Sequence, residues 1–222
     1  MEWIHRYQLF MFDFDGLLVN TEHLHYEAYR KMCADRGVDF TWDFDHYCRF
    51  AHYEAIGFRE ALFHDFPALK ESEPNWDTLY EEKKAALMEL VRQGKTELMP
   101  GVEPLLKALE KANIKRCVVT HSPSLLIETI REQNPVLNTI PNWITREHYS
   151  NPKPDSECYL TAIQKYAQES DSIIGFEDTP RGLRALMGTR ATPVIVCEID
   201  YRELDEFIRK GAKRLKKILE MT

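Results

Sequence analysis

Leu9-Phe10-Met11-Phe12-Asp13-Phe14-Asp15-Gly16 is an apolar run that ends on two carboxylates and a glycine. Four apolar residues without alternation predict a strand buried on both faces, as in a parallel sheet covered by helices. Similar runs follow: Cys117-Val118-Val119 stops at Thr120, Ser172-Ile173-Ile174-Gly175-Phe176 stops at Glu177-Asp178, and Pro193-Val194-Ile195-Val196 forms a fourth. Trp143-Ile144 is a shorter candidate. Between them, segments 102–112, 124–130 and 156–166 carry apolar residues at helical spacing. This alternation from residue 101 onward predicts an α/β fold, a doubly wound parallel sheet with helices on both faces.

Residues 22–94 interrupt the pattern. No fully apolar run occurs there, and His, Tyr, Trp and charged residues recur at helical spacing. The prediction is an inserted helical domain over 22–94 and a core over 1–21 and 95–222. Gly94-Lys95-Thr96 reads as a flexible joint, and Met99-Pro100-Gly101 as the turn back into the sheet.

Composition narrows the function classes. The 222 residues hold 29 basic and 36 acidic side chains, a formal charge of −7, which disfavours a nucleic-acid partner held by a broad positive field. Arg209, Lys210, Lys213, Arg214, Lys216 and Lys217 form a local exception, read as the solvated face of a last helix, with a nucleic-acid arm as the alternative. No apolar run approaches the roughly 18 residues of a spanning helix, so no membrane partner is expected. Five cysteines (Cys33, Cys48, Cys117, Cys158, Cys197) show no CxxC or Cys/His cluster, so neither a disulfide framework nor a zinc site is expected. With no signal-like N-terminus, the expectation is a cytoplasmic monomer.

The chemistry gathers at strand ends. Asp13 and Asp15 close a buried strand, where open α/β sheets bind ligands; a plain turn at Asp15-Gly16 is the alternative. Glu177-Asp178 closes another, and if both strands are central the four carboxylates need a cation such as Mg²⁺. Glu177-Asp178-Thr179-Pro180 also reads as a helix N-cap, and the two roles are compatible. Lys153, between Pro152 and Pro154, precedes a helix, where the dipole disfavours a cation, so a phosphate or a set of buried carboxylates is its expected partner. Thr120 opens the loop His121-Ser122-Pro123-Ser124, which reads either as a helix cap or as an anion cradle.

Taken in order, DFDG at 13–16, the strand ending in Thr120, Lys153 within NPKPD, and GFEDTPRG at 175–182 resemble the four motifs of the haloacid-dehalogenase-like (HAD) superfamily. The insertion after the first motif is similar to the helical cap of the β-phosphoglucomutase-like subgroup. The resemblance implies an aspartyl-phosphate on Asp13, with Asp15 as the acid and base. It implies Mg²⁺ held by Asp13, Asp178, Glu177 and the backbone carbonyl of Asp15. Thr120 and Lys153 would bind the phosphoryl oxygens, and Gly16, His121 and Ser122 would line the phosphate.

Thr21 and His25, four apart on the next helix, would couple the insertion to the site, although His25 reads equally well as a packed hinge histidine. Asn20 stands where Asp is frequent and Asn151 where Gly often precedes Lys-Pro. Arg49-Phe50-Ala51-His52-Tyr53 lies at about the place of the Lys-Gly-x-x-Arg stretch of β-phosphoglucomutases, which makes Arg49 and His52 substrate candidates. The implied function is a Mg²⁺-dependent phosphatase for a small phosphorylated metabolite, a sugar or nucleotide phosphate. A hexose-phosphate mutase is the alternative, and a non-catalytic phosphate- or partner-binding protein is a third reading that the Asp13/Asp15 pair opposes.

Overall fold

The computed structural model describes residues 1–53, 55–94 and 96–221, without the side chains at 55 and 56. The joint residue Lys95 lies outside the described residues. In chain order the elements are β1 (Leu9–Phe12), α1 (Glu22–Asp35), α2 (Phe44–Ala51), α3 (Ala55–Asp65), α4 (Pro67–Ser72) and α5 (Trp76–Gln93). There follow α6 (Val102–Lys111), β2 (Lys115–Val119), α7 (Ser124–Gln133), β3 (Asn142–Ile144) and α8 (Glu157–Tyr166). The chain finishes with β4 (Ile173–Glu177), α9 (Pro180–Met187), β5 (Thr192–Val196), α10 (Leu204–Arg209) and β6 (Lys213–Leu215). Two compact units result, 1–20 with 97–222, and 21–96. Thr21 and Thr96, assigned to the core from sequence, fall in the second unit, Thr21 as the N-cap residue of α1.

The sheet unit holds six strands, all parallel, in the order β3-β2-β1-β4-β5-β6. All four residues of β1 are buried, and Phe12 pairs with Val118 of β2 on one side and Phe176 of β4 on the other. Side chains alternate between the faces. Leu9 and Met11 pack with Cys117, Val119, Ile144 and the α8 and α9 residues Tyr159, Ala162 and Leu186. Phe10 and Phe12 turn the other way and stack on Phe176, with ring centroids 6.2 and 5.4 Å away. Burying each such side chain is worth roughly 1.5–3 kcal/mol, against a strand-propensity scale spanning only about 1 kcal/mol. Burial therefore decides that this segment is a central strand.

From β1 the chain goes to β2 and β3 on one side and later to β4, β5 and β6 on the other. Such a reversal opens a crevice beyond the C-terminal ends of the strands that flank it. Asp13 follows β1, Thr120 follows β2, and Glu177-Asp178 ends and follows β4, so topology brings these residues to one place.

The basic stretch 209–217 differs from its expected helix: α10 stops at Arg209 and Lys213–Leu215 form the edge strand β6. Lysine and arginine on an edge strand hinder pairing with another chain. Arg214 Nη1 also sits 2.7 Å from Asp200 Oδ1.

The unit 21–96 is helical and largely aromatic inside. Tyr26, Tyr29, Phe40, Trp42, Tyr47, Phe58 and Phe66 are buried, with Phe40 stacked on Phe66 at 5.1 Å and Tyr29 beside Phe58 at 4.8 Å. Their polar tips find partners, as buried aromatic donors must. The Tyr26 hydroxyl donates to the Trp42 carbonyl at 2.8 Å, and Trp42 Nε1 donates to Asp65 Oδ2 at 2.9 Å. Arg36, just past α1, ties to α5 by donating from Nε and Nη2 to the two carboxylate oxygens of Glu82, at 2.8 and 2.6 Å. Among the described residues no helix is long and apolar enough to cross a membrane.

Candidate active site

Lys153 is the hub of the strand-end cluster. Its ammonium donates to Asp13 Oδ1 at 2.7 Å, to Glu177 Oε1 at 2.7 Å and to the Val119 carbonyl at 3.0 Å. An ammonium has three hydrogens, so these acceptors use all of them. The side chain is buried, and so are Asp13 and Glu177. The Lys153 backbone N–H donates to His121 Nε2 at 2.8 Å, which anchors this segment to the loop after β2. Asp13 is anchored in turn, its N–H donating to the Phe176 carbonyl at 2.9 Å.

The charges set the ionisation. Burial opposes the charge on Lys153, yet Asp13 and Glu177 outweigh it and hold the ammonium well above its usual range. Asp13 is pushed up to about 7 by burial and by Glu177, against the pull of Lys153. His121 is held down at about 2 by burial and by the nearby charges of Lys153, Arg181 and Arg146. It is therefore neutral, which suits a ring nitrogen that accepts the Lys153 N–H.

Asp15 sits in a different environment. Ser122 Oγ donates to Asp15 Oδ2 at 2.6 Å and Thr120 Oγ1 donates to the same oxygen at 3.3 Å, while the Ser122 N–H donates to Thr120 Oγ1 at 2.9 Å. Asp13 is thus clamped by an ammonium, whereas Asp15 two residues later is held by hydroxyls. Two carboxylates with separated environments can take separate acid and base roles.

Gly16 and Gly182 make the room. Gly16 has φ +75°, and a Cβ there would lie 2.2 Å from Asp178 Oδ2. A Cβ on Gly182 would lie 1.9 Å from Glu177 Oε2. Thr179 caps α9, its hydroxyl accepting the Gly182 N–H at 3.2 Å, with Pro180 in the first turn. The cap and the acidic pair coexist in one turn, as the sequence allowed.

Oxygens of Asp13, Glu177 and Asp178 lie within 4.8 Å of one another. Buried Glu177 Oε2 has no hydrogen-bond partner among the described residues. An all-oxygen set with an unsatisfied buried carboxylate oxygen fits a hard divalent cation. The Asp15 carboxylate is outside this group, turned to Ser122, which leaves only its backbone carbonyl for the metal role expected from sequence.

The structure thus brings together Asp13, Asp15, Gly16, Thr120, His121, Ser122, Lys153, Glu177 and Asp178. It places Thr21, His25 and Arg49 in the other unit. There the Thr21 carbonyl accepts the His25 N–H at 3.0 Å, and Lys83 Nζ lies 2.7 Å from His25 Nδ1. Arg49 is exposed, while His52 is buried with Nε2 3.1 Å from Glu22 Oε1. Sequence reasoning missed Tyr159, whose hydroxyl donates to Glu177 Oε1 with its ring 5.0 Å from Lys153 Nζ. Its one signal was a tyrosine on the apolar face of a helix, where the hydroxyl must find a buried acceptor.

Comparison with known proteins gives the family and the fold. A family model described as haloacid dehalogenase-like hydrolase matches residues 10–192. The chain is 28% identical over 181 residues to a phosphorylated carbohydrates phosphatase of Thermotoga maritima, covering 79% of this chain and 78% of that protein. The fold is similar to CbbY of Rhodobacter sphaeroides in complex with xylulose-(1,5)bisphosphate, with TM-score 0.75, 21% identity, and 97% and 96% of the two chains covered. It is also similar to a β-phosphoglucomutase of Clostridium difficile, with TM-score 0.71, 21% identity, and 97% and 93% covered. Strand-end acids, the lysine between them and a match over most of the sequence lead to one conclusion: the chain belongs to the haloacid dehalogenase-like hydrolase family.

Proposed function

We propose that this chain is a phosphatase acting on small phosphomonoesters, phosphorylated carbohydrates foremost, through a phosphoenzyme on Asp13. The observation that carries this reading is the Lys153 bridge between Asp13 Oδ1 and Glu177 Oε1, with Asp15 held separately by Ser122 and Thr120. Lys153 fixes one oxygen of Asp13, and the other attacks phosphorus as the ester P–O bond breaks. Asp15 gives its proton to the leaving oxygen, then takes one from the water that cleaves the acyl phosphate. Free phosphate leaves and the Asp13 carboxylate is restored. When phosphate enters, Thr120 would turn its hydroxyl from Asp15, and Lys153 one hydrogen from its present acceptors, to the phosphoryl oxygens. Mg²⁺ held by Asp13, Asp178 and Glu177 would offset the charge on those oxygens.

The substrate class follows the relatives' names, in which a phosphorylated carbohydrate recurs. The unit 21–96 is read as the cap that selects the substrate. Five buried cysteines outside any disulfide suit a reducing compartment, and the proposal takes the chain to be a cytoplasmic monomer.

The test is phosphate release from a panel of sugar, polyol and nucleotide monophosphates. Release is expected with Mg²⁺, is expected to stop with a chelator, and should need no bisphosphate activator. Conversion of β-glucose 1-phosphate to glucose 6-phosphate faster than its hydrolysis would make the chain a mutase. No release from any monoester, with no labelling of Asp13 by acetyl phosphate, would overturn the enzymatic reading.

A further inference from the structure

Among the described residues a second cluster of metal-ligating side chains is in the helical unit, and its donors differ in kind from those at the sheet. Glu22 lies in the first turn of α1, Cys48 in the last turn of α2, and His52 just past α2. Carboxylate, thiol and imidazole atoms of these residues lie within 4.8 Å of one another. The spacing of Cys48 and His52 sets both on one side of a helical turn. Cys48 and His52 are buried, and Glu22 is partly open, which leaves a way in. Glu22 Oε1 and His52 Nε2 are 3.1 Å apart, and the Cys48 thiol beside them makes the donor set one of oxygen, nitrogen and sulfur.

We propose that Glu22, Cys48 and His52 form a binding site for a borderline divalent ion of the zinc type, separate from the all-oxygen cluster of Asp13, Glu177 and Asp178. Sulfur, nitrogen and oxygen donors together match zinc, whereas Mg²⁺ takes oxygen alone. As the metal–sulfur bond forms, the Cys48 proton leaves to solvent, together with any proton on the ligating nitrogen of His52. His25 is outside the set, since Lys83 Nζ engages its Nδ1 at 2.7 Å. Three protein ligands leave a fourth position for water. The bound ion would tie the start of α1 to the end of α2.

The experiment titrates the whole chain with Co²⁺ in excess Mg²⁺. The expected result is one equivalent bound with a near-ultraviolet thiolate-to-cobalt charge-transfer band and the visible bands of four-coordinate cobalt, all bleached by Zn²⁺. Cys48→Ser should abolish the charge-transfer band, and Glu22→Gln and His52→Gln should each weaken Co²⁺ binding at least about tenfold. Cys33→Ser and Asp178→Asn should keep the band, which separates this site from other thiols and from the sheet cluster. Circular dichroism confirms folding, and the Glu22 and His52 variants carry the test if Cys48→Ser fails to fold. Absence of the band in the unsubstituted chain, or its survival in Cys48→Ser, overturns the proposal.

Discussion

Asp13 in the sheet unit and Glu22 in the helical unit are both carboxylates drawn out of water, and they are driven in opposite directions. Asp13 rises to about 7, whereas Glu22 falls to about 2. Burial acts on both in the same sense, favouring the neutral acid. The difference lies in the neighbours. Around Asp13, Glu177 and Asp15 add repulsion, and the ammonium of Lys153 is divided between Asp13 and Glu177. Around Glu22, His52 and His25 are attractive and the Tyr47 hydroxyl donates a hydrogen bond. The ratio of opposite to like charge within reach, more than depth, decides which acid is ionised. One cluster is left short of positive charge and the other is supplied with it.

The largest effect is expected at Asp13 itself. Asp13→Asn removes the nucleophile while keeping its volume, and phosphate release should fall by at least about 10² with the circular dichroism spectrum unchanged. Retained turnover would take Asp13 out of the chemistry.

Next in size is the hub. Lys153→Met leaves Asp13 and Glu177 facing each other in a buried site, and loss of one partner of such a pair costs about 3–5 kcal/mol. Urea unfolding should register that loss and phosphate release should vanish; a variant as stable as the parent would show that the bridge contributes little.

The smallest effect is expected at Glu22. Its folded value lies below the usual 4.5, so the stability it contributes is present above that value and is lost as pH falls toward about 2. Comparing urea midpoints at about pH 6 and about pH 3, the parent should lose at most about 3 kcal/mol more than Glu22→Gln. Equal losses would mean that His52 does not stabilise the charge.

The sheet was legible because buried parallel strands write themselves as apolar runs, and the reactive residues of such a fold stand at the ends of those runs. Asp13, Thr120 and Glu177-Asp178 each end or follow one. Lys153 was legible from its misfit, a cation ahead of a helix. The rest depended on chain distance that spacing alone does not reveal. Glu22 and Cys48 belong to separate helices, so a search for local cysteine pairs passes over a thiol whose neighbours are a carboxylate and an imidazole. Lys213-Arg214-Leu215 is too short and too charged to announce a strand, because at the sheet edge pairing to one neighbour suffices and the side chains are at most partly buried. His121 carried no signal for its acceptor role, which exists only because Lys153 returns to the loop after β2.

The vacant side-chain positions of Gly16 and Gly182 have a consequence for inheritance. Two adjacent acids, Glu177 and Asp178, each rest against a glycine, Gly182 in the same turn and Gly16 far away in the sequence, where one added carbon would fall 1.9 or 2.2 Å from a carboxylate oxygen. A glycine-to-alanine change is the smallest step a gene can make at such a codon, and here it would occupy the space of a charged group. In a library of random variants these two glycines would tolerate replacement as poorly as the acids themselves, so the chain's capacity to vary is limited by residues that contribute no side-chain functional group of their own.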